Sequence, residues 1–451
     1  MKRKHLKMKK LFVNVLLVAF LTSMMSVPWF HAVKVAEAAS VEGLYAGGTN
    51  PGVVYRYAGG TAWEVISPAL GWSVTSIVMY GEDWYVGAIT DKNCWSSVGK
   101  VWKYDGRTWT DVGTLDKQVC FLIVYKGDLY AGTSFVGGLE ARLYKFNVET
   151  TSWTLVLKVG VMEGWMGFRS AHVWNDWLYL GEWTFDQFAR WDGTTFKIFY
   201  SDMIHGSCIY SFEEYGGYLY AGAYQGAIFR IDSVPTATEI WQVPNKGYAW
   251  ALKSFGNYLY IGADANGTGV APLCKYDGTF TQVWSYSTTT TNPHEGILST
   301  AADANYLYLG VGGQAVGYPE TMNGEGTGLV YKYDGTNSPE LISNPSLGTG
   351  AQTLYYGPIP VPSPQEATQD LIDNVKSMNL QQGIANSFDT KLTNALNALN
   401  ALNVGQRNDA VNKLYAFINE VEAQKGNKLT NEQADRLITA VHDIIALIQQ
   451  T

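Results

Sequence analysis

The sequence predicts an all-β seven-bladed propeller followed by a small all-α helical bundle. Three observations predict it. A Leu-Tyr-x-Gly phrase, with Trp for Leu once, recurs seven times between residues 44 and 310. A strand at 352–357 lacks such a phrase, whereas the first phrase lacks a preceding strand. Composition then changes sharply after a Pro-rich stretch at 358–364.

The chain begins with a segment outside this pattern. Residues 1–10 are basic, Leu11 to Val27 is largely apolar, and Ala36-Glu37-Ala38 offers an A-x-A cleavage site. This is the grammar of a secretory signal peptide over 1–38. The competing reading is a membrane anchor, against which stand Asn14, Thr22 and the stop at Pro28. No later stretch is apolar for long enough to span a bilayer, so no transmembrane segment is expected after signal removal. The expected location is secreted, extracellular or cell-surface associated.

The repeat occupies 40–357. Its tyrosines are Tyr45, Tyr85, Tyr130, Tyr179, Tyr220, Tyr260 and Tyr308, at intervals of 40–49 residues. That period suits one four-stranded sheet per repeat. A second strand follows each phrase and often ends in Asp-Gly, as at 105–106, 192–193, 277–278 and 334–335. Glycine there permits the positive φ of a tight turn. A third strand carries Trp63, Trp109, Trp153, Trp241 or Trp284. A fourth precedes the next phrase, as at 76–80, 121–125 and 251–255. The strand at 352–357 is expected to pair with the first phrase and close the ring, which removes exposed edges.

These repeats resemble the seven-bladed propellers of secreted bacterial and archaeal proteins. Asp105-Gly106-Arg107-Thr108-Trp109 is similar to the Asp-box of sialidase propellers, but its spacing differs and no Arg-Ile-Pro motif is present. Sialidase activity is not implied.

Residues 358–365 read as a stiff Pro-rich linker. Beyond it, 366–451 is poor in aromatics, with helix-period patterns near 366–379, 384–402, 407–425 and 430–449. Thr430 and Gln433 have capping-box spacing. Gly383-Ile384-Ala385-Asn386-Ser387, Lys391-Leu392, Ala416 to Val421 and Gly426 to Thr430 resemble the FIMAH domain, a small helical accessory of secreted proteins. The resemblance implies an extracellular setting and no particular chemistry.

The leader holds seven of the 32 basic and one of the 40 acidic residues, leaving 25 basic and 39 acidic in the mature chain. Such an acid excess argues against nucleic acid as a partner. The four cysteines match no zinc spacing. Cys94 and Cys120 fall in loops on one side and form a candidate disulfide. Cys274 reads as buried. Asp264-Ala265-Asn266-Gly267 starts like a calcium loop, but no bidentate acid follows, so it reads as a turn. No metal and no cofactor are expected.

Propeller ligands meet the mouth of the central channel, where loops enter the innermost strands. The register places Trp72, Arg169, His205, Tyr248, His294 and Glu295 at those entries. Aromatic faces stack on sugar rings and a few polar groups orient them. The expected function is therefore a binding module for a polysaccharide or a surface protein. One alternative is a carbohydrate-active enzyme such as a polysaccharide lyase, with His or Tyr as base and Arg169 against a uronate carboxylate. Another is a structural envelope protein, in which these groups merely line a wet channel.

Overall fold

The computed structural model describes residues 42–92, 97–134, 140–160, 167–183, 187–201, 208–232, 236–288, 292–313, 326–344, 346–401 and 404–450. The predicted signal peptide, His205 and Cys94 lie outside the described residues. Two compact units are present, one of residues Ser40–Pro362 and one containing Ser363–Thr451.

The first unit contains 28 strands among the described residues, numbered β1 to β28 in chain order. Four separate antiparallel sheets have four strands each; they begin with β8 (Gln118–Tyr125), β12 (Phe168–Trp174), β16 (Ile209–Tyr215) and β20 (Ala251–Phe255). The remaining twelve strands form one sheet that divides into three sets of four. One set begins with β4 (Gly71–Tyr80) and one with β24 (Gly296–Ala302). The third joins the first three strands to β28 (Gly350–Pro358). Single pairs, Gly52 with Gly71 and Gly312 with Gly350, link these sets. The strand expected to close the repeat does pair with the first phrase: in β1 (Glu42–Gly52), Tyr45 lies opposite Tyr355 and Ala46 opposite Leu354. First strands then pack in a closed sequence, β4, β8, β12, β16, β20, β24, β28 and back to β4.

Each Tyr phrase is a strand covered on both faces. In β13 (Trp177–Glu182), Leu178 and Tyr179 point to opposite faces, yet are 0% and 1% exposed. The glycine ending the phrase is needed because the neighbouring sheet comes so near. A Cβ on Gly262 would stand 2.5 Å from Ile297 Cγ2, on the first strand of the next set. The Trp-rich third strands have a bonding reason as well as a packing one. Indole Nε1 of Trp109 donates to Ile66 O at 2.9 Å, and that of Trp153 to Val112 O at 3.1 Å. Each bond ties one set to its neighbour. The Asp-Gly turns form as expected: Gly193 has φ +105°, and Asp192 Oδ1 accepts from the backbones of Thr194 and Thr195.

Among the described residues the second unit has four helices: α1 (Pro364–Ser377), α2 (Gln382–Asn400), α3 (Val404–Gln424) and α4 (Asn431–Gln450). They bury Leu371, Phe388, Leu392, Phe417, Val421 and Val441 together. Helix α1 starts two residues before the expected 366, because Ser363 and Glu366 make a reciprocal capping box with Pro364 in the first turn. Thr430 and Gln433 cap α4 in the same way. No helix among the described residues is long and apolar enough to cross a membrane.

Candidate functional site

Tyr248, His294 and Glu295 lie in the segments that lead into β20 and β24, as expected, whereas other expected entries are already strand. Trp72 lies in β4, Cys120 in β8 and Arg169 in β12. Six of the first strands carry a one-residue bulge near their start, Gln352 being the extra residue in β28. In β12, Phe168 pairs with Glu182 and Ser170 with Gly181, so Arg169 is the extra residue. By the same count Thr75, Cys120, Tyr210 and Leu298 are extra in β4, β8, β16 and β24. A bulge leaves one residue out of the ladder and re-aims its side chain. The residues just after three of the bulges act as inter-sheet ties: Ser170 Oγ donates to Ile209 O at 2.7 Å, Ser211 Oγ to Ala249 O at 3.3 Å and Ser299 Oγ to Ala351 O at 2.8 Å.

Arg169, Tyr248 and His294 are brought into one chain of contacts. The guanidinium carbon of Arg169 lies 5.2, 5.4 and 5.8 Å from the ring centres of Trp183, Trp250 and Tyr210. Tyr210 lies 4.1 Å from Trp250 and is nearly parallel to Tyr248, at 5.5 Å and 9°. Tyr248 stacks on the imidazole of His294, with centroids 4.6 Å apart and planes 25° apart. Tyr224 closes on Tyr248 at 4.6 Å.

Beneath these rings sits Asp264, fully buried. Its Oδ1 accepts from the backbone N–H groups of Tyr248 at 3.0 Å and Asn266 at 3.1 Å. Its Oδ2 accepts from Trp250 Nε1 at 3.0 Å and lies 3.0 Å from His294 Nδ1. Three surrounding N–H donors mark the carboxylate as acceptor, so His294 Nδ1 carries the proton it shares with Asp264. Burial raises the Asp264 carboxyl above its ordinary range, while the bonds from His294, Trp250 and Tyr248 pull it back. Burial likewise pushes the phenols of Tyr210 and Tyr248 far up, with Cys208 adding at Tyr210 and Tyr224 at Tyr248. Both tyrosines are therefore neutral donors at ordinary pH.

Two expected site residues lie apart from this bonded set. Glu295 is fully buried and accepts from Tyr286 Oη at 2.8 Å and Thr327 Oγ1 at 3.3 Å. Trp72 packs against the cluster of Cys120, Phe168 and Trp183, at the Arg169 end. The disulfide expected between Cys94 and Cys120 involves Cys94, which lies outside the described residues. Cys120 is a free thiol, 5% exposed, and its close neighbours include Ser134 and Arg169. Cys274 is buried as expected. Among the described residues, no group of three or more His, Cys, Asp or Glu side chains is placed to hold a metal ion.

Trp250, Tyr210 and Trp183 were not singled out from the sequence, and Asp264 was read only as part of a turn. A repeat signal could have found two of them. Trp183, Tyr224 and Asp264 each stand four residues after the phrase tyrosine, at Tyr179, Tyr220 and Tyr260. In an antiparallel sheet the end of the second strand lies beside the start of the first. That position therefore faces the same end as the expected entries.

No family profile matches the chain, and no curated protein matches it. Solved structures are similar at low identity. One is the extracellular domain of a hybrid two-component system from B. thetaiotaomicron, at 16% identity and TM-score 0.43, covering 59% of this chain and 32% of that one. The chain thus spans about a third of that domain. A Bacteroides fragilis protein named for 6-phosphogluconolactonase gives 11% identity, TM-score 0.49 and coverage of 71% and 99%. A protein from Lactobacillus plantarum gives 13%, 0.49, 70% and 99%.

Proposed function

We propose that this chain is an exported seven-bladed β-propeller that binds glycan at the mouth of its channel, joined to a helical accessory domain of FIMAH type. The seven repeated phrases, strands in sets of four and the closed sequence of first strands support seven blades. The leader pattern at 1–38 supports export.

One observation carries the binding reading: the run of stacked rings from Trp250 through Tyr210 and Tyr248 to His294, ending on a fixed imidazole. Tyr248 keeps part of its surface exposed, and the His294 imidazole and Arg169 guanidinium bring polar groups to the same run of rings. Flat rings with sparse polar groups are what a pyranose surface requires. The mature chain, titrated calorimetrically against hits from a glycan array, is expected to bind at least one oligosaccharide. Tyr248→Ala and His294→Ala, folded by circular dichroism, weaken that binding about tenfold or more. Absence of glycan binding across the array would sink the reading.

A second reading, a polysaccharide lyase, is favoured by the 3.0 Å contact of His294 with Asp264. With Nδ1 engaged, Nε2 is the nitrogen left to take a proton from a sugar carbon. Turnover would appear as ultraviolet absorbance from the new double bond on uronic-acid polysaccharides, lost in His294→Ala. Glycan binding without that absorbance rejects the lyase.

A further inference from the structure

Arg169 carries a permanent charge. It is 8% exposed, and its Nε has no hydrogen-bond partner. Arg56, Arg142, Arg230 and Arg436 each face a carboxylate. Among the described residues none is ion-paired with Arg169. Arg190 also lacks one, but it keeps more of its surface in water. Asp264 is not spare: its two oxygens already serve four donors, one of them the Trp250 indole packed beside the Arg169 guanidinium. Cys120 does not supply the missing charge either. Burial raises its thiol above the usual value and so keeps it neutral.

The three rings around the guanidinium offset part of its desolvation by cation–π attraction. They hold the planar fork in place but leave its Nε–H without a partner. A buried charge lacking a counter-charge is costly, and removing that cost is a source of binding free energy. Tyr248 and His294, the proposed sugar platform, are joined to Arg169 through Trp250 and Tyr210.

We infer that the mouth is an anion site, and that its ligand is a sugar bearing a carboxylate or sulfate group whose charge is met by Arg169. This rests on the glycan reading and names the class of sugar. A guanidinium fork meets either group with two parallel hydrogen bonds, which an ammonium cannot do.

The test is calorimetric titration of the mature chain with three probes of equal length: an oligogalacturonate, its fully methyl-esterified form and a sulfated galacto-oligosaccharide. The anionic probe that fits binds at least about tenfold tighter than the neutral ester, the scale of a charge-assisted pair. A preference for the galacturonate identifies the carboxylate, and one for the galactan identifies the sulfate. Arg169→Met abolishes the preference for the anionic probe over its neutral ester. Arg169→Lys keeps the charge, loses the fork and recovers only part of the preference. If Arg169→Met fails to fold, Arg169→Lys and the charged-versus-ester comparison in the unaltered chain carry the result. Equal binding of ester and anions overturns the anion site and leaves the glycan reading intact. Binding of no glycan at all, probes and array alike, overturns the glycan reading and this inference with it.

Discussion

His294 Nδ1 lies 3.0 Å from Oδ2 of Asp264, although thirty residues separate them. The contact is made possible by the strand pairing of two neighbouring sheets. Asp264 stands two residues beyond the phrase strand Tyr258–Gly262 and bridges to Gly296, and His294 precedes the first strand of the next set. The same carboxylate holds the backbone of Tyr248 and the indole of Trp250. One buried acid thereby fixes three rings of the proposed site.

Asp264→Asn tests that role. The amide turns an N–H toward groups that are themselves donors, so at least one buried bond is lost. The expected cost is about 1–3 kcal/mol in urea unfolding, together with weaker glycan binding. Unchanged stability and unchanged binding would show that Asp264 does not organise the rings.

Gly262→Ala should be strongly destabilising, by about 1–3 kcal/mol, since the new methyl would meet Ile297 Cγ2 at 2.5 Å. Adding Ile297→Ala removes that obstacle. The double variant is expected to lose less than the two single losses added together, measured as a mutant cycle in urea. Strict additivity counts against the close approach.

Ser170→Ala removes a buried hydroxyl bond of 2.7 Å to Ile209 O. The expected loss is about 1 kcal/mol, with the freed carbonyl as its source. A midpoint equal to wild type would deny the hydroxyl any part in tying the two sheets.

Asp192 supplies the pH dependence. Backbone bonds from Thr195 and Thr194 hold its carboxyl down at about 2. The unfolded value is about 3.9. A depressed folded value stabilises the protein above the unfolded value, and that contribution fades as pH falls toward about 2. Wild type should therefore melt above Asp192→Ala at pH 5, with the gap narrowing on acidification to pH 2. A gap that stays constant over this range contradicts the assignment. Because Asp192 is exposed, salt should shrink the effect.

A chain ending at residue 349 lacks β28, which pairs with β1 along its length and meets Gly312. Two strand edges are then left open, and aggregation is the expected outcome on gel filtration. A chain ending at 362 retains the whole first unit and should stay monodisperse. Identical behaviour of the two would mean that β28 is not needed for closure.

Much of the architecture was open to inspection in one dimension. The Tyr phrases, the Asp-Gly turns, the strand at 352–357 and the Thr430–Gln433 cap are all short-range patterns. Each is set by alternation, turn chemistry or capping within a few residues, and the structure contains each of them. Arg169, Tyr248 and His294 were legible because they stand at the starts of repeats whose phase was known. What the sequence alone could not determine is which side chains meet across sheets. One-residue bulges at Arg169 and Tyr210 reverse the local alternation, and nothing nearby in the chain announces them. Adjacent residues went different ways, His294 to Asp264 and Glu295 to Tyr286, because successive side chains near a strand start face opposite sides. Period and composition dictated the repeat. Only the packed register, which joins residues thirty or more apart, decided that a turn-forming Asp264 would become the centre of the site.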